Sequence, residues 1–261
     1  MSKIEIQELS FSYAKEERMI LEGIDLEISS GEFVCILGQS GCGKSTLLRL
    51  IAGLEKPTLG KLLIDKEPIK GASLSRGVVF QDYGLFLWMT AGENIMLALK
   101  QRFPQRDKKE LKQIALAMLE AVGLDASVYE KLPKELSGGM KQRCAIAQAF
   151  STNPPILLMD EPFGALDAVT RAKLQDLLIK LWSEEKPKKT VLFVTHDVDE
   201  ALLLANRIVV LGQSPSQIIY EYKVSEEHRP TRETQFEDPF VLEMRNELIR
   251  QINQDVTRHI F

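Results

Sequence analysis

Nine consecutive residues, Gly38-Gln39-Ser40-Gly41-Cys42-Gly43-Lys44-Ser45-Thr46, constrain this chain more than any other stretch. They satisfy G-x-x-x-x-G-K-[ST] at every fixed position. The apolar segment before them, Phe33 to Leu37, is short and partly β-branched, and it reads as a buried strand of a parallel sheet. After them Leu47, Leu48, Leu50 and Ile51 recur at helical spacing until Gly53, a natural helix stop. Strand, glycine-rich turn and helix in that order form a phosphate-binding device. The glycines let backbone N–H groups turn inward, and the helix points its positive end at the same anion. Lys44 can reach the β- and γ-phosphates and the Ser45 hydroxyl can ligate Mg²⁺, so the chain is expected to bind a nucleoside triphosphate.

A length of 261 residues suits one large α/β domain, or such a domain with a smaller inserted lobe. A formal net charge of −4 argues against general nucleic-acid binding, which uses a basic face. No apolar run is long enough to cross a bilayer, and Met1 opens directly onto a strand pattern, so neither signal peptide nor membrane span is expected. Cys35, Cys42 and Cys144 have no metal-ligand or pairing spacing, which fits a reducing compartment. Cys42, inside the phosphate loop, offers a site where alkylation would block binding.

Residues 3–13 and 24–28 alternate as strands, with Tyr13 followed by a charged turn at residues 15–18. Tyr13 can stack on a purine or serve as an ordinary edge-strand tyrosine. Residues 61–65 read as a strand after the Pro57–Gly60 turn. Residues 77–80 read as a buried strand ending at Gln81, where α/β sheets place ligands, so Gln81 can touch Mg²⁺ or the attacking water. Residues 82–92, DYGLFLWMTAG, are either packing for the next lobe or a docking surface. Residues 93–121 are rich in helix formers, with Leu111, Ile114, Ala115, Met118 and Val122 on one side of a helical pattern from Asp107 to Val122 that Gly123 closes, and this helical block interrupts the strands and reads as an inserted lobe.

Ser137, Gly138 and Gly139 open a second helix and supply a second anion-binding terminus. Either both termini close on one nucleotide within the chain, or each nucleotide is shared between two chains. Residues 156–159 form another buried strand, ending in Asp160 and Glu161. Adjacent carboxylates at a strand end face opposite ways, so Asp160 can hold the Mg²⁺ shell while Glu161 faces an attacking water. Residues 190–197 are a third such strand, with His196 at its ligand edge as a candidate for the γ-phosphate. Beyond residue 222 the composition turns polar, with helical spacing at Val241, Met244, Leu248, Ile252 and Val256 after an Asp238-Pro239 start signal. That tail is expected to pack on the body or on a partner.

Taken together, the set resembles the ATP-binding subunit of ABC transporters from Ile4 to about Tyr220. LSGGMKQR at 136–143 looks like the signature sequence of that family, Gln81 its Q-loop, and ILLMDE at 156–161 its Walker B strand with the catalytic Glu161. Ala165, Leu166 and Asp167 match the D-loop, His196 the switch histidine, and Tyr13 the aromatic that stacks on adenine. A finer likeness, to nitrate, sulfonate and taurine importers, rests on QDYGLFLWMTAGEN, DEPFGALDAVTR and TVLFVTHDVDEALLLANR. That branch usually carries proline where Leu87 stands, and aspartate is common where Asn206 stands.

The resemblance implies a P-loop (RecA-like) α/β core with an N-terminal antiparallel β region and an inserted helical lobe. The ATPase domain would span 1–222, its lobe about 86–151, and the tail 223–261. It implies ATP and Mg²⁺ as ligands and a homodimer closed around two ATP. Gly38, Gln39, Ser40, Gly41, Cys42, Gly43, Lys44, Ser45 and Thr46 of one copy would face Ser137, Gly138 and Gly139 of the other. Catalysis would fall to Glu161, His196, Gln81 and Lys44, and metal binding to Ser45, Gln81 and Asp160. The implied partners are integral membrane permease subunits and, indirectly, an extracytoplasmic solute-binding protein, at the cytoplasmic face of the cell membrane. A soluble ABC ATPase of repair, translation or assembly is the rival reading.

Overall fold

The computed structural model describes residues 2–13, 18–164, 166–184, 186–225 and 229–260. The charged turn expected at residues 15–18 lies, apart from Arg18, outside these residues, as does Ala165. The chain forms two compact units, Met1–Ser73 with Pro187–Phe261, and Leu74–Lys186.

The first unit begins with β1 (Ile4–Phe11), β2 (Leu21–Ile28), β3 (Phe33–Leu37), α1 (Lys44–Ala52), β4 (Leu59–Ile64) and β5 (Glu67–Pro68). Strands β2, β1, β4 and β5 form an antiparallel sheet in that order. From Ile24 onward β2 buries alternate side chains (Ile24, Leu26, Ile28), as befits a strand with one wet face. All five residues of β3 are buried, the mark of a strand covered on both faces. Helix α1 buries Leu47, Leu48, Leu50 and Ile51 and stops at Gly53, whose φ of 77° lies in the left-handed region. A side chain at Gly53 would also collide with the carbonyl oxygen of Gly71, 2.3 Å from an ideal Cβ.

The second unit follows with β6 (Arg76–Val79), α2 (Ala91–Arg102), α3 (Lys108–Ala121), two short 3₁₀ turns (Ala126–Glu130 and Pro133–Glu135), α4 (Gly138–Ser151), β7 (Ile156–Asp160) and α5 (Ala168–Glu184). The helical block of residues 93–121 is therefore two helices. Pro104 cannot continue the first, and the Asp107 carboxylate restarts the second by accepting the Glu110 N–H at 2.8 Å. β6 and β7 pair in parallel, and α2, α3 and α4 pack on one another.

The chain returns to the first unit with β8 (Thr190–Thr195), α6 (Val198–Leu204), β9 (Arg207–Leu211), β10 (Ile218–Lys223) and α7 (Pro239–Ile260). Here β10, β9, β3 and β8 lie side by side; β3 is parallel to both β8 and β9, and β10 is antiparallel to β9. Helix α7 buries Val241, Met244 and Leu248 and packs on α6 and β10. Among the described residues, no helix is long and apolar enough to cross a membrane.

Candidate functional site

Register decides which polar residues meet at the strand ends of the first unit. Leu37 of β3 is level with Thr195 of β8 and with Val210 of β9. The phosphate loop therefore leaves its sheet beside His196 on one flank and beside the loop at 212–216 on the other. Lys44 is almost fully buried, and its ammonium donates to the carbonyls of Gly38 and Gln39, both at 2.8 Å. The lysine is thus held at the root of the loop by charge-assisted bonds rather than by a carboxylate. Gly41 and Gly43 take φ of 83° and 97°, the left-handed values that turn successive N–H groups toward one concavity. Gly43 is also the N-cap of α1, so no cap side chain stands over the positive end of that helix.

Tyr13 lies edge-on to Phe11, with ring centroids 4.9 Å apart, and its hydroxyl is 3.4 Å from the Thr46 hydroxyl. The aromatic is thereby fixed next to the phosphate loop. His196 is exposed, and its neighbours pin the backbone on both sides. The buried Thr195 hydroxyl donates to Glu200 (2.6 Å) and accepts the Asp197 N–H (3.0 Å), while Asp197 caps α6 by accepting from Asp199 and Glu200.

Cys42 corrects a sequence expectation. It is only 3% exposed, and burial pushes its thiol above the ordinary range despite the nearby Lys44 charge. A buried, protonated thiol resists alkylation, so Cys42 offers no ready point of chemical blockade.

The second unit gathers the carboxylates. Val79 of β6 is level with Met159 of β7, so Gln81 leaves its strand at the height of Asp160 and Glu161. Asp160 is 4% exposed, whereas Glu161 is half-buried with φ of 44°, a left-handed value rare for glutamate. That backbone turn separates the two carboxylates into different surroundings, and outliers of this kind cluster at functional positions. Within this unit the Asp160 carboxylate and the Gln81 amide carry oxygen donors at adjacent strand ends, the donor chemistry that Mg²⁺ takes.

Ser137 caps α4 by accepting the Met140 N–H at 3.3 Å, leaving Gly138 and Gly139 in the first turn. Without Cβ atoms these two let a ligand approach the helix terminus closely. Arg143, one turn on, donates to Gly139 O at 3.4 Å and to Gly123 O at 2.7 Å, tying the start of α4 to the end of α3. Asp167 accepts the Thr170 N–H, which holds its carboxyl below the usual range and sets the start of α5.

The loop at 82–92 divides between the two expectations. Leu87 and Trp88 are 69% and 75% exposed, Phe86 is stacked at a tilt on Trp88, and Leu85 and Met89 are half-buried. A residue that sequence reasoning missed shapes this loop. Asn94, fully buried, accepts the Phe86 N–H and aims its amide at the carbonyls of Phe86, Met89 and Thr90. An asparagine among Ile95 and Met96 in the first turn of a helix was the available signal. Ser216, also fully buried, sets its hydroxyl between the carbonyls of Cys42 and Gly212, and no local pattern announces a contact so distant in sequence.

Known proteins share this arrangement. The profile of the ABC transporter family matches residues 21–164. The nitrate import ATP-binding protein NrtD of Synechococcus elongatus is 45% identical over 230 residues, which is 88% of this chain and 83% of that protein. The bicarbonate transport ATP-binding protein CmpD of the same species is 44% identical over 228 residues, 87% of this chain and 81% of that protein. Among solved structures, the ATP-binding cassette MJ0796 in a dimeric post-hydrolysis state bound to ADP and Pi superposes with a TM-score of 0.77 at 35% identity, covering 85% of this chain and 99% of that one. With a P-loop α/β fold, a buried lysine at the root of its phosphate loop and a second helix terminus capped by Ser137 with two glycines in its first turn, this chain belongs to the ABC transporter family, as one of its ATP-binding, ATP-hydrolysing subunits.

Proposed function

We propose that this chain powers an importer for a small anion, on the scale of nitrate, bicarbonate, a sulfonate or taurine, through separate membrane subunits. The observation that carries the reading is the similarity, over more than four-fifths of each chain, to a nitrate import and a bicarbonate transport ATP-binding protein. The exposed Leu87 and Trp88, on a loop held in shape by Asn94, support a permease contact on this chain. We propose the cytoplasmic face of the cell membrane as its location, with a solute-binding protein acting indirectly from the other side. The ATPase domain is taken as 1–222 with the helical lobe at about 86–151, and 223–261 as a tail.

In this reading two identical copies pair with two-fold symmetry, so that Ser137, Gly138 and Gly139 of one grip the ATP held by residues 38–46 of the other. The dimeric state of the solved cassette supports pairing. Tyr13 stacks on adenine, the loop N–H groups and Lys44 neutralise phosphate charge, and His196 donates to the γ-phosphate. Ser45, Gln81 and Asp160 hold Mg²⁺, which when bound neutralises phosphate charge as it develops. Glu161 takes the proton of the attacking water, a contribution of typically ~10²–10⁴ in rate. Loss of the shared ATP opens the dimer, and the 82–92 loop passes the movement to the permease.

The test is a tagged Glu161→Gln protein captured from detergent-solubilised membranes of the native cell, with mass spectrometry of what comes with it. A stoichiometric multi-spanning partner, together with an ATP-trapped dimer and little turnover, is the expected result. Recovery only with ribosomes, DNA or assembly factors would replace the importer by a soluble ATPase, and turnover at the wild-type rate would remove Glu161 from its role.

A further inference from the structure

The phosphate loop has an outer support that the nucleotide chemistry does not require. The end of β9 and the loop that follows it, residues 211–216, meet it at three points. Leu211 O lies 2.8 Å from where a Cβ on Gly38 would stand, the Ser216 hydroxyl lies against Cys42 O, and the Gln213 amide donates to Gln39 Oε1 at 3.4 Å. Helix α7 holds the far side of the same loop. Its Asp255 accepts the Gln213 backbone N–H at 2.7 Å, and its other carboxylate oxygen packs against Gly212, 3.1 Å from an ideal Cβ there. A second anchor lies ten residues earlier, where Arg245 donates to Asp199 at 2.6 Å, in the first turn of the helix that follows His196. One tail helix is thus bonded to the flanks of both phosphate-facing segments of the first unit.

We infer that Asp255 is a positioning residue for ATP binding. By fixing Gln213 from behind, it holds Gln39 and the 38–46 loop in the shape that receives phosphates. The physical basis is preorganisation: a glycine-rich loop must be ordered before its N–H groups can converge on a ligand, and any ordering done in advance is not charged against binding. The tail would then set the ATP affinity of the cassette without touching ATP. The inference rests on residues 38–46 being the ATP site.

The experiment is Mg-ATP titration of the full-length protein by calorimetry, with melting temperature and amide exchange of residues 38–46 followed in parallel. Asp255→Ala is expected to weaken ATP about tenfold, the equivalent of one charge-assisted hydrogen bond, and to speed exchange in the loop. Asp255→Asn, which keeps an oxygen for the Gln213 N–H, is expected to restore affinity to within about threefold. Gln213→Ala removes only the link to Gln39, so it tests the same path if Asp255→Ala fails to fold; weaker ATP binding with faster loop exchange is expected. Wild-type affinity in Asp255→Ala, or in Gln213→Ala, would overturn the inference whatever happens to the melting temperature. Lys44→Ala separates the two ideas. If it alone loses ATP, only the brace fails; if it binds as the wild type does, the ATP site itself is misassigned.

Discussion

Two glycines of the phosphate loop are conformationally alike and sterically unlike, and that difference makes a sharp prediction. Gly41 and Gly43 both have φ in the left-handed region, at 83° and 97°. An ideal Cβ on Gly41 meets nothing within 4 Å, whereas one on Gly43 would stand 2.9 Å from Leu21 Cδ2 and 3.1 Å from Ile20 Cγ2. Alanine at Gly41 should therefore cost only the backbone term, about 1–2 kcal/mol. Alanine at Gly43 adds overpacking against two side-chain ends, about 1–2 kcal/mol more, for a total of about 2–4 kcal/mol. Trp88 and Trp182 both lie in the second unit, so tryptophan fluorescence does not report directly on β3 and α1. Amide exchange of β3 and α1, read by mass spectrometry, reports on the first unit itself. At about 1.4 kcal/mol per factor of ten, Gly43→Ala should lower protection there about 30-fold or more, and Gly41→Ala about 30-fold at most. If Gly43→Ala costs no more than Gly41→Ala, the close approach of β2 to the loop is not what makes glycine necessary at 43.

Other expectations follow from the same contacts. Asn94→Ala takes the side-chain acceptor from the Phe86 N–H and the amide donor from the Met89 carbonyl, while the Phe86 and Thr90 carbonyls keep the backbone N–H groups of Met89 and Asn94, so it should destabilise the protein by about 2 kcal/mol and lower the tryptophan fluorescence anisotropy; an unchanged melting temperature would refute its role in holding that loop. Ser137→Arg fills the space above Gly138 and Gly139 and should abolish turnover while the isolated chain still binds ATP; lost binding in the monomer would argue against a signature that acts on the partner's nucleotide. Burial pushes the Cys144 thiol up to about 12 from an ordinary 9.0, so the folded state holds its proton where the unfolded chain releases it. Its contribution to stability is intact below pH 9 and is lost as pH rises toward 12, by about 1.4 kcal/mol near pH 10. Cys144→Ala should flatten that part of the urea stability profile, and an unchanged slope would sink the assignment.

Much of the site could be read from the chain because its parts are local. The 38–46 loop needs a strand, glycines at fixed offsets and a helix start, and all of these lie within about twenty residues. Asp160 and Glu161 announce themselves by following four apolar residues, and Ser137 by preceding a helical run. Helix α3 follows from an Asp cap and a 3.6-residue apolar period. The break that divides 93–121 into two helices was equally local, at Pro104 and Asp107, but a count of helix formers runs across it.

What the tertiary structure alone decided are the relations whose partners are far apart in sequence. Parallel pairing of β3 with β8 puts His196 beside the phosphate loop, and nothing in either strand specifies the other as its neighbour. The left-handed turn at Glu161, the burial of Cys42, the bonds of Ser216 to the loop and of Asp255 to Gln213 likewise depend on packing. The amino-acid sequence by itself determined the strand-loop-helix whose shape suits a phosphate and the residue types that can act on one, because backbone geometry over a few residues suffices for that. Which of those residues meet, and which distant side chains hold the loop in shape, is settled only when strands choose neighbours and buried polar groups find partners.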